Sequence, residues 1–305
     1  MSPPAQKSFR ERFAGIWQYV PGGALLFAIV PLILLSYLGW FYYGAKHLDQ
    51  ALYALTVEHL TVTPQPAWIS TSNVREEVFQ RARLDRISLL DPRANATIAQ
   101  AFEAHPWIRS TTRVTKAVGG KVAVDVVYRQ PLAMVYCQPR PQDVQGPPQN
   151  IKEPGFFPVD TEGIMLPIED FSQAQVFEYF LIMADSATPT GQIGMSFGDV
   201  RIANALKVCG LLEPERKRQK LQRVYVQHDH RSSGESPWII VLETTDKHQI
   251  IWGHMPDAEG TGEPSASEKL ATLLAWLEAQ RAAQTAGRTL NLLSKGSSPV
   301  SLRLP

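Results

Sequence analysis

Hydrophobic and polar positions follow a different rule in each third of this chain. From Ala24 to Tyr43 there is no alternation: ALLFAIVPLILLSYLGWFYY carries no charge, and the charge-free interval runs from Phe13 to Ala45. Twenty helical residues rise about 30 Å, the thickness of a bilayer core. A backbone in lipid must satisfy its own hydrogen bonds, so the pattern predicts a transmembrane helix over residues 24–45. Pro31 lies within it, where membrane helices tolerate proline. Trp40, Tyr42 and Tyr43 cluster at the far end, a headgroup position for aromatic rings. Lys7, Arg10 and Arg12 precede the span against Glu11 alone. That bias predicts a cytoplasmic N-terminus and an extracytoplasmic remainder. A cleaved signal peptide would have a shorter core and a small-x-small end. The bulky aromatic end here favours a retained anchor.

Beyond the anchor the periods become those of strands and amphipathic helices. Thr56 to Thr63 alternates partially and is stopped by Pro64 and Pro66, which predicts a strand. Asn73 to Ala82 reads as a helix capped by Asn73, with Val74 and Val78 on one face. Asp91-Pro92 starts a second helix, with Asn95 as a competing cap, that closes before Pro106. Ile108 to Thr115 and Lys121 to Tyr128 form a hairpin around Gly119-Gly120, with Val122, Val124 and Val126 on its inner face. The order strand, helix, helix, strand, strand predicts a small α+β layer domain.

The rest of the chain reads as a larger, strand-rich domain with inserted helices. Leu132 to Cys137 is a strand, followed by a proline-rich loop over Pro139 to Asn150. Phe156 to Asp160 and Gly163 to Leu166 read as a short hairpin. Phe177 to Met183 fits either a strand or a helix. Ser196 to Leu212 is a predicted helix with Ser196 and Asp199 as an acidic capping box, and charged Glu213 to Gln222 reads as its solvated end. Arg223 to Gln227, Trp238 to Glu243 and His248 to Trp252 are strands. Ser265 to Gln284 is a long helix with a Ser265/Glu268 capping box and a stripe of Leu270, Leu273, Leu274 and Leu277. Arg288 to Leu293 and Pro299 to Leu304 are two final strands.

Composition narrows the function classes. A formal net charge of +1, from 30 basic and 29 acidic residues, gives no long-range attraction to nucleic acid. Two cysteines, Cys137 and Cys209, are too few for a disulfide scaffold. A bridge between them is open to question; two separately buried thiols are the reading favoured. No nucleophile elbow, phosphate loop, HExxH or paired-cysteine zinc spacing occurs. His228 and His230 flank Asp229 at a ragged strand end with no fourth ligand specified, so they read as loop residues, not a metal site. Asp160 and Glu162 flank a turn and read as turn formers before they read as a carboxylate pair. The sequence therefore predicts no catalytic residues, no cofactor and no metal.

The arrangement resembles the FtsQ/DivIB family of bacterial cell-division proteins. His105-Pro106-Trp107-Ile108-Arg109 resembles that family's "P-W-V" segment, and Tyr128-Arg129-Gln130-Pro131-Leu132-Ala133 its "E-R-x-P-x-A". Val159-Asp160-Thr161-Glu162-Gly163 resembles its "V-D-x-x-G" hairpin, and Ile250-Ile251-Trp252-Gly253 with Lys269-Leu270 a strand and its following helix. The sequence departs at Tyr128, where the family has an acidic residue, and at Leu60 to Thr63, which lack a glycine. The resemblance implies a short cytoplasmic tail (1–23), the anchor (24–45), a POTRA-like domain (46–130) and an FtsQ-like β domain (131–305). It implies a non-enzymatic, membrane-embedded scaffold of the divisome. Its partners would be FtsB-like and FtsL-like single-span proteins and, through them, the septal peptidoglycan synthase complex. Its location would be the inner membrane at the division site. The implied partner-binding residues are Pro299, Val300, Ser301, Leu302, Arg303 and Leu304, a last strand that accepts a partner strand. The alternative is a POTRA-containing envelope-assembly or secretion component.

Overall fold

The computed structural model describes residues 23–44, 54–138, 154–228, 238–256, 258–260 and 262–293. The chain is mixed α+β, with two sheets and six α-helices among the described residues. The transmembrane helix expected over residues 24–45 is not found. No helix among the described residues is long and apolar enough to cross a membrane. Helix α1, Gly23–Gly39, has 17 residues. At the α-helical rise it measures about 25 Å, short of a core of about 30 Å. It gives way at Trp40 to a π-helical turn, Trp40–Gly44. Gly39 is a weak helix former, and the aromatic run after it stacks Phe41 on Tyr37 at 6.3 Å between ring centroids.

The first sheet has three strands in the order β1-β3-β2: β1 Leu60–Val62, β2 Ile108–Ala117 and β3 Lys121–Tyr128. Between β1 and β2 the chain forms α2, Val74–Arg81, and α3, Ala94–Glu103. Strand β1 is shorter than the Thr56 to Thr63 pattern implies, because Val57–His59 takes a 3-10 turn. Helix α2 starts where the sequence placed it, with the Asn73 side chain accepting from Glu76 N. Helix α3 starts at Ala94 without a side-chain cap, so Asn95 lies inside the helix. Its amide instead donates to Val114 O on β2. Strand β3 alternates as its sequence does, burying Val122, Val124 and Val126 and exposing Lys121, Ala123 and Asp125. Those valines meet Val74, Val78, Ile98 and Phe102 in one core, with Trp107 fully buried.

The second sheet has seven strands in the order β10-β9-β8-β7-β6-β4-β5. These are β4 Pro131–Cys137, β5 Gly155–Asp160, β6 Phe180–Ala184, β7 Leu221–His228, β8 Trp238–Thr244, β9 Gln249–Gly253 and β10 Thr289–Asn291. Phe177 to Met183 thus resolves into a strand only from Phe180, after the short helix α4, Gln173–Val176. Gly163 to Leu166 makes only isolated bridges, Val159 with Met165 and Ile164 with Ser196. Strands β6 and β7 pair in parallel, which demands a crossover; α5, Val200–Gln219, supplies it. The cap of α5 is Asp199, not Ser196, and the helix passes through Pro214 to include most of the charged Glu213 to Gln222 run. Arg216 and Gln219 are buried in that run, so it is not a fully solvated end.

Helix α6, Ala266–Ala282, has the expected capping box, with Ser265 and Glu268 each accepting from the other's backbone N–H. Ser265→Ala is expected to cost about 1 kcal/mol in denaturant unfolding. The side chains of α5 and α6 cover one sheet face, where Ile202, Leu206, Leu273 and Leu277 meet Val224, Leu242 and Trp252. The alternate residues of β8 and β9, Ile239, Val241 and Ile251, form a small cluster on the opposite face. Cys137 and Cys209 are both buried and both free. Burial pushes the Cys137 thiol up to about 12 and the Cys209 thiol higher still.

Candidate interaction sites

The two sheets are joined by more than the Arg129–Gln130 connection. After β5 the chain turns back and inserts Leu166 into the core of the first sheet. Four residues on, the fully buried Asp170 carboxylate accepts from Thr71 N and Ser72 N, each at 2.7 Å, and from Ser72 Oγ at 2.6 Å. It also accepts from Trp107 Nε1 at 2.8 Å. Burial alone would raise this carboxyl; the donors outweigh it and hold Asp170 below the usual carboxylate range. Ser70 Oγ donates to Asp170 O at 2.7 Å, and the Phe171 ring lies 6.0 Å from Trp107.

A second clasp sits at the chain crossover. Arg129 Nη1 donates to Asp160 Oδ2 at 2.6 Å and Glu162 Oε2 at 2.8 Å, and Arg109 of β2 reaches Glu162 Oε1 at 2.6 Å. Arg129 and Arg109 hold the Glu162 carboxyl below its ordinary value. Asp160 Oδ1 accepts from Glu162 N and Ile164 N, at 2.9 and 2.8 Å, so Asp160 shapes the turn. Neither carboxylate is free for acid–base chemistry.

Between the sheets, on the Asp170 side, lies a cleft of about 1130 Å³. Glu77, Arg81 and His105 line one wall; Met165, Glu169 and Met195 line the other. His105 Nδ1 accepts from Trp107 N at 3.3 Å, so its Nε2 proton points at Glu77 Oε2, 3.2 Å away. Burial pulls this histidine down against the pull of Glu77, which keeps it neutral at pH 7.

The sheet edges differ in how they are finished. On β2 the outward Thr111 N donates to Glu103 Oε1, and Val114 O accepts from Asn95 Nδ2, both side chains of α3. Outward positions of β5 are 156, 158 and 160, with Pro154 one residue ahead of the strand, and Phe156 has no partner strand on that side among the described residues. Pro154 and Pro158 have no N–H, and Asp160 N is taken by Ile164 O. Strand β1 offers only three residues. Strand β10 lies parallel to β9, and the bonds Gln249 N to Arg288 O and Leu292 N to Ile251 O point the even residues inward. By strand alternation the backbone of Thr289 and Asn291 faces outward, with no partner strand among the described residues. The partner-binding residues expected from the sequence, Pro299, Val300, Ser301, Leu302, Arg303 and Leu304, lie outside the described residues.

Of the two histidines flagged in the sequence, His228 is among the described residues. His228 meets Trp238 edge-on at 5.2 Å, and His230 lies outside the described residues. His248 Nδ1 accepts from Arg288 N. His254 belongs to a buried cluster that sequence reasoning missed. There Glu263 accepts from Lys269 Nζ at 2.6 Å, His254 Nδ1 at 2.7 Å, Gly260 N at 2.8 Å and His254 N at 2.9 Å. Lys269 is fully buried, with its ammonium 5.4 Å from the centre of the Trp252 ring. Burial opposes ionisation of Glu263, but Lys269 and the other donors win and hold it below its ordinary value. Among the described residues no group of three or more His, Cys, Asp or Glu could hold a metal ion. No protein-family model matches the chain, and no curated protein matches it.

Proposed function

We propose that this chain is a non-catalytic scaffold that works by taking a partner's strand onto the β10 edge. The observation that supports it most directly is the contrast between edges. The outward backbone of β2 and β5 is blunted in part, at Thr111, Val114, Pro158 and Asp160, whereas that of Thr289 and Asn291 is open among the described residues. An edge left unprotected beside others that are blunted is a template for β-addition. The resemblance to the FtsQ/DivIB family supplies the partners: FtsB-like and FtsL-like single-span proteins, and through them the septal peptidoglycan synthases. The site of action in this reading is the extracytoplasmic face of the inner membrane at the division site. A further support is that two of the segments carrying the resemblance meet in space, through Arg129 and Asp160. Helix α1 carries no part of this reading.

Thr289→Pro tests it, because proline there removes an outward N–H and leaves the β9-facing bonds of residues 288 and 292 in place. Crosslinking from cell envelopes should show capture of the small single-span proteins falling about ten-fold. A Val300→Asp, Arg303→Glu variant should lose capture as well. Undiminished capture by both folded variants rejects the edge reading. Recovery of outer-membrane or secretion components instead points to an envelope-assembly role.

A further inference from the structure

We propose that the cleft between the two sheets is a second binding site, for an extended peptide segment that carries an apolar side chain flanked by one acidic and one basic residue. The proposal does not rest on the β10 edge, which contributes no residue to the cleft.

The size comes first. About 1130 Å³ is more than one side chain fills, and junctions between folded units are where ligand sites concentrate. Apolar, adaptable side chains accompany Glu169: Met165, Met195, Ile193 and Phe157 line the cleft. Thioether side chains repack around differently shaped partners. Met195 is 57% exposed and Ile193 42% exposed, so both present apolar surface to a ligand in the cleft.

The charges then select the ligand. Glu77 is engaged by His105 Nε2 and by Asn73 N, which spends its carboxylate within the wall. Arg81 on α2 and Glu169 on the facing wall are exposed, and neither makes an ion pair with any described residue. Among the described lining residues one arginine, Arg81, stands with two carboxylates, Glu77 and Glu169, a balance that disfavours nucleic acid and anionic polymers. An uncharged glycan leaves both charges unanswered, and among the described lining residues no Trp or Tyr and one Phe, Phe157, is present for a sugar to stack on. A peptide segment with a carboxylate toward Arg81, an apolar side chain on the methionines and an ammonium toward Glu169 answers all of these features.

The walls are already set for such a ligand. The Asp170 clasp fixes one sheet against the other. The loop carrying Ile193 and Met195 leans on the opposite wall: a Cβ on Gly194 would lie 3.3 Å from Pro106 Cγ. At Gly191 a Cβ would lie 2.8 Å from Ser196 O, so that turn admits no side chain without shifting. A site held open before binding loses little ordering entropy when filled.

The test is methyl NMR on the full chain, which has six methionines, with Met165 and Met195 as reporters of the cleft and buried Met134 as the control for folding. The probes are capped synthetic peptides with a central leucine. One has an aspartate before and a lysine after it, one has the reverse order, and others are all-acidic, all-basic or uncharged. Chitohexaose is the glycan probe. One mixed-charge order should shift the Met165 and Met195 methyls with a Kd on the order of 100 μM. Arg81→Glu should weaken that peptide about ten-fold, and Arg81→Glu with Glu169→Arg should transfer the preference to the reverse order. Equal binding of the uncharged peptide overturns the proposal. So does binding of chitohexaose alone, or the lack of any shift at about 1 mM peptide. Thr289→Pro should leave this binding unchanged, so failure at one site is distinguishable from failure at the other.

Discussion

Asp170→Ala is expected to lower the unfolding free energy by about 3 kcal/mol, which corresponds to a Tm roughly 6–12 °C lower. The carboxylate accepts four hydrogen bonds, and Trp107, one of the donors, is fully buried. Truncation orphans those donors, and an unsatisfied buried donor costs more than a made bond contributes. Denaturant unfolding monitored by tryptophan fluorescence checks it. A change below about 0.5 kcal/mol would place Asp170 among ordinary surface residues and reject the clasp. The pH dependence follows from the direction of the shift. The folded value of Asp170 lies below its unfolded value of about 3.9. Its contribution is therefore complete above the unfolded value and disappears as pH falls through the folded one. Wild type should lose stability on acidification more steeply than Asp170→Ala does.

Lys269→Met is expected to cost about 3–5 kcal/mol. It removes the ammonium that pairs with Glu263 and leaves that carboxylate, 3% exposed, without its cation. The paired variant Lys269→Met, Glu263→Gln should be less destabilised than Lys269→Met alone, because a neutral amide needs no counter-charge. Additive losses in the double-mutant cycle would show that the two side chains act independently. An exposed pair is the contrast: Arg218 with Glu278, more than half exposed on both sides, should change stability by about 0.5 kcal/mol or less when removed.

Much of the architecture was legible because local chemistry and tertiary packing agree there. The alternation of Val122, Val124 and Val126 is the alternation of burial in β3, and the Ser265/Glu268 box forms as written. Two other signals were outcompeted. Ser196 resembles a cap, but its backbone is engaged in a bridge to Ile164, and Asp199 takes the capping role. The charge-free run before Ala45 has the composition of a membrane span, yet its α-helix ends at Gly39 and turns π-helical. Composition reports what a segment tolerates, not where its hydrogen-bond register changes. The candidate sites were hardly legible at all. Asp170 contacts residues 98 or 99 positions earlier, a separation that no local pattern encodes. Lys269 precedes Leu273 and Leu277 by four and eight residues, so helical period alone puts it on the buried face; what the sequence hides is its partner, Glu263.

The unequal finishing of the sheet edges has a consequence for assembly. A sheet with two open edges can be extended from both sides, and copies of it can join edge to edge without end. Here the seven-stranded sheet carries Pro158 at an outward position of one edge, with Pro154 just ahead of that strand, and an accepting backbone at Thr289 and Asn291 on the other. Under the proposed reading such a sheet has a direction of growth: it gains one strand at β10, and the proline in β5 disfavours a second seam at the other edge. In that reading, strand addition sets a one-to-one ratio between this chain and the partner on that edge, and any larger complex would be built through other surfaces.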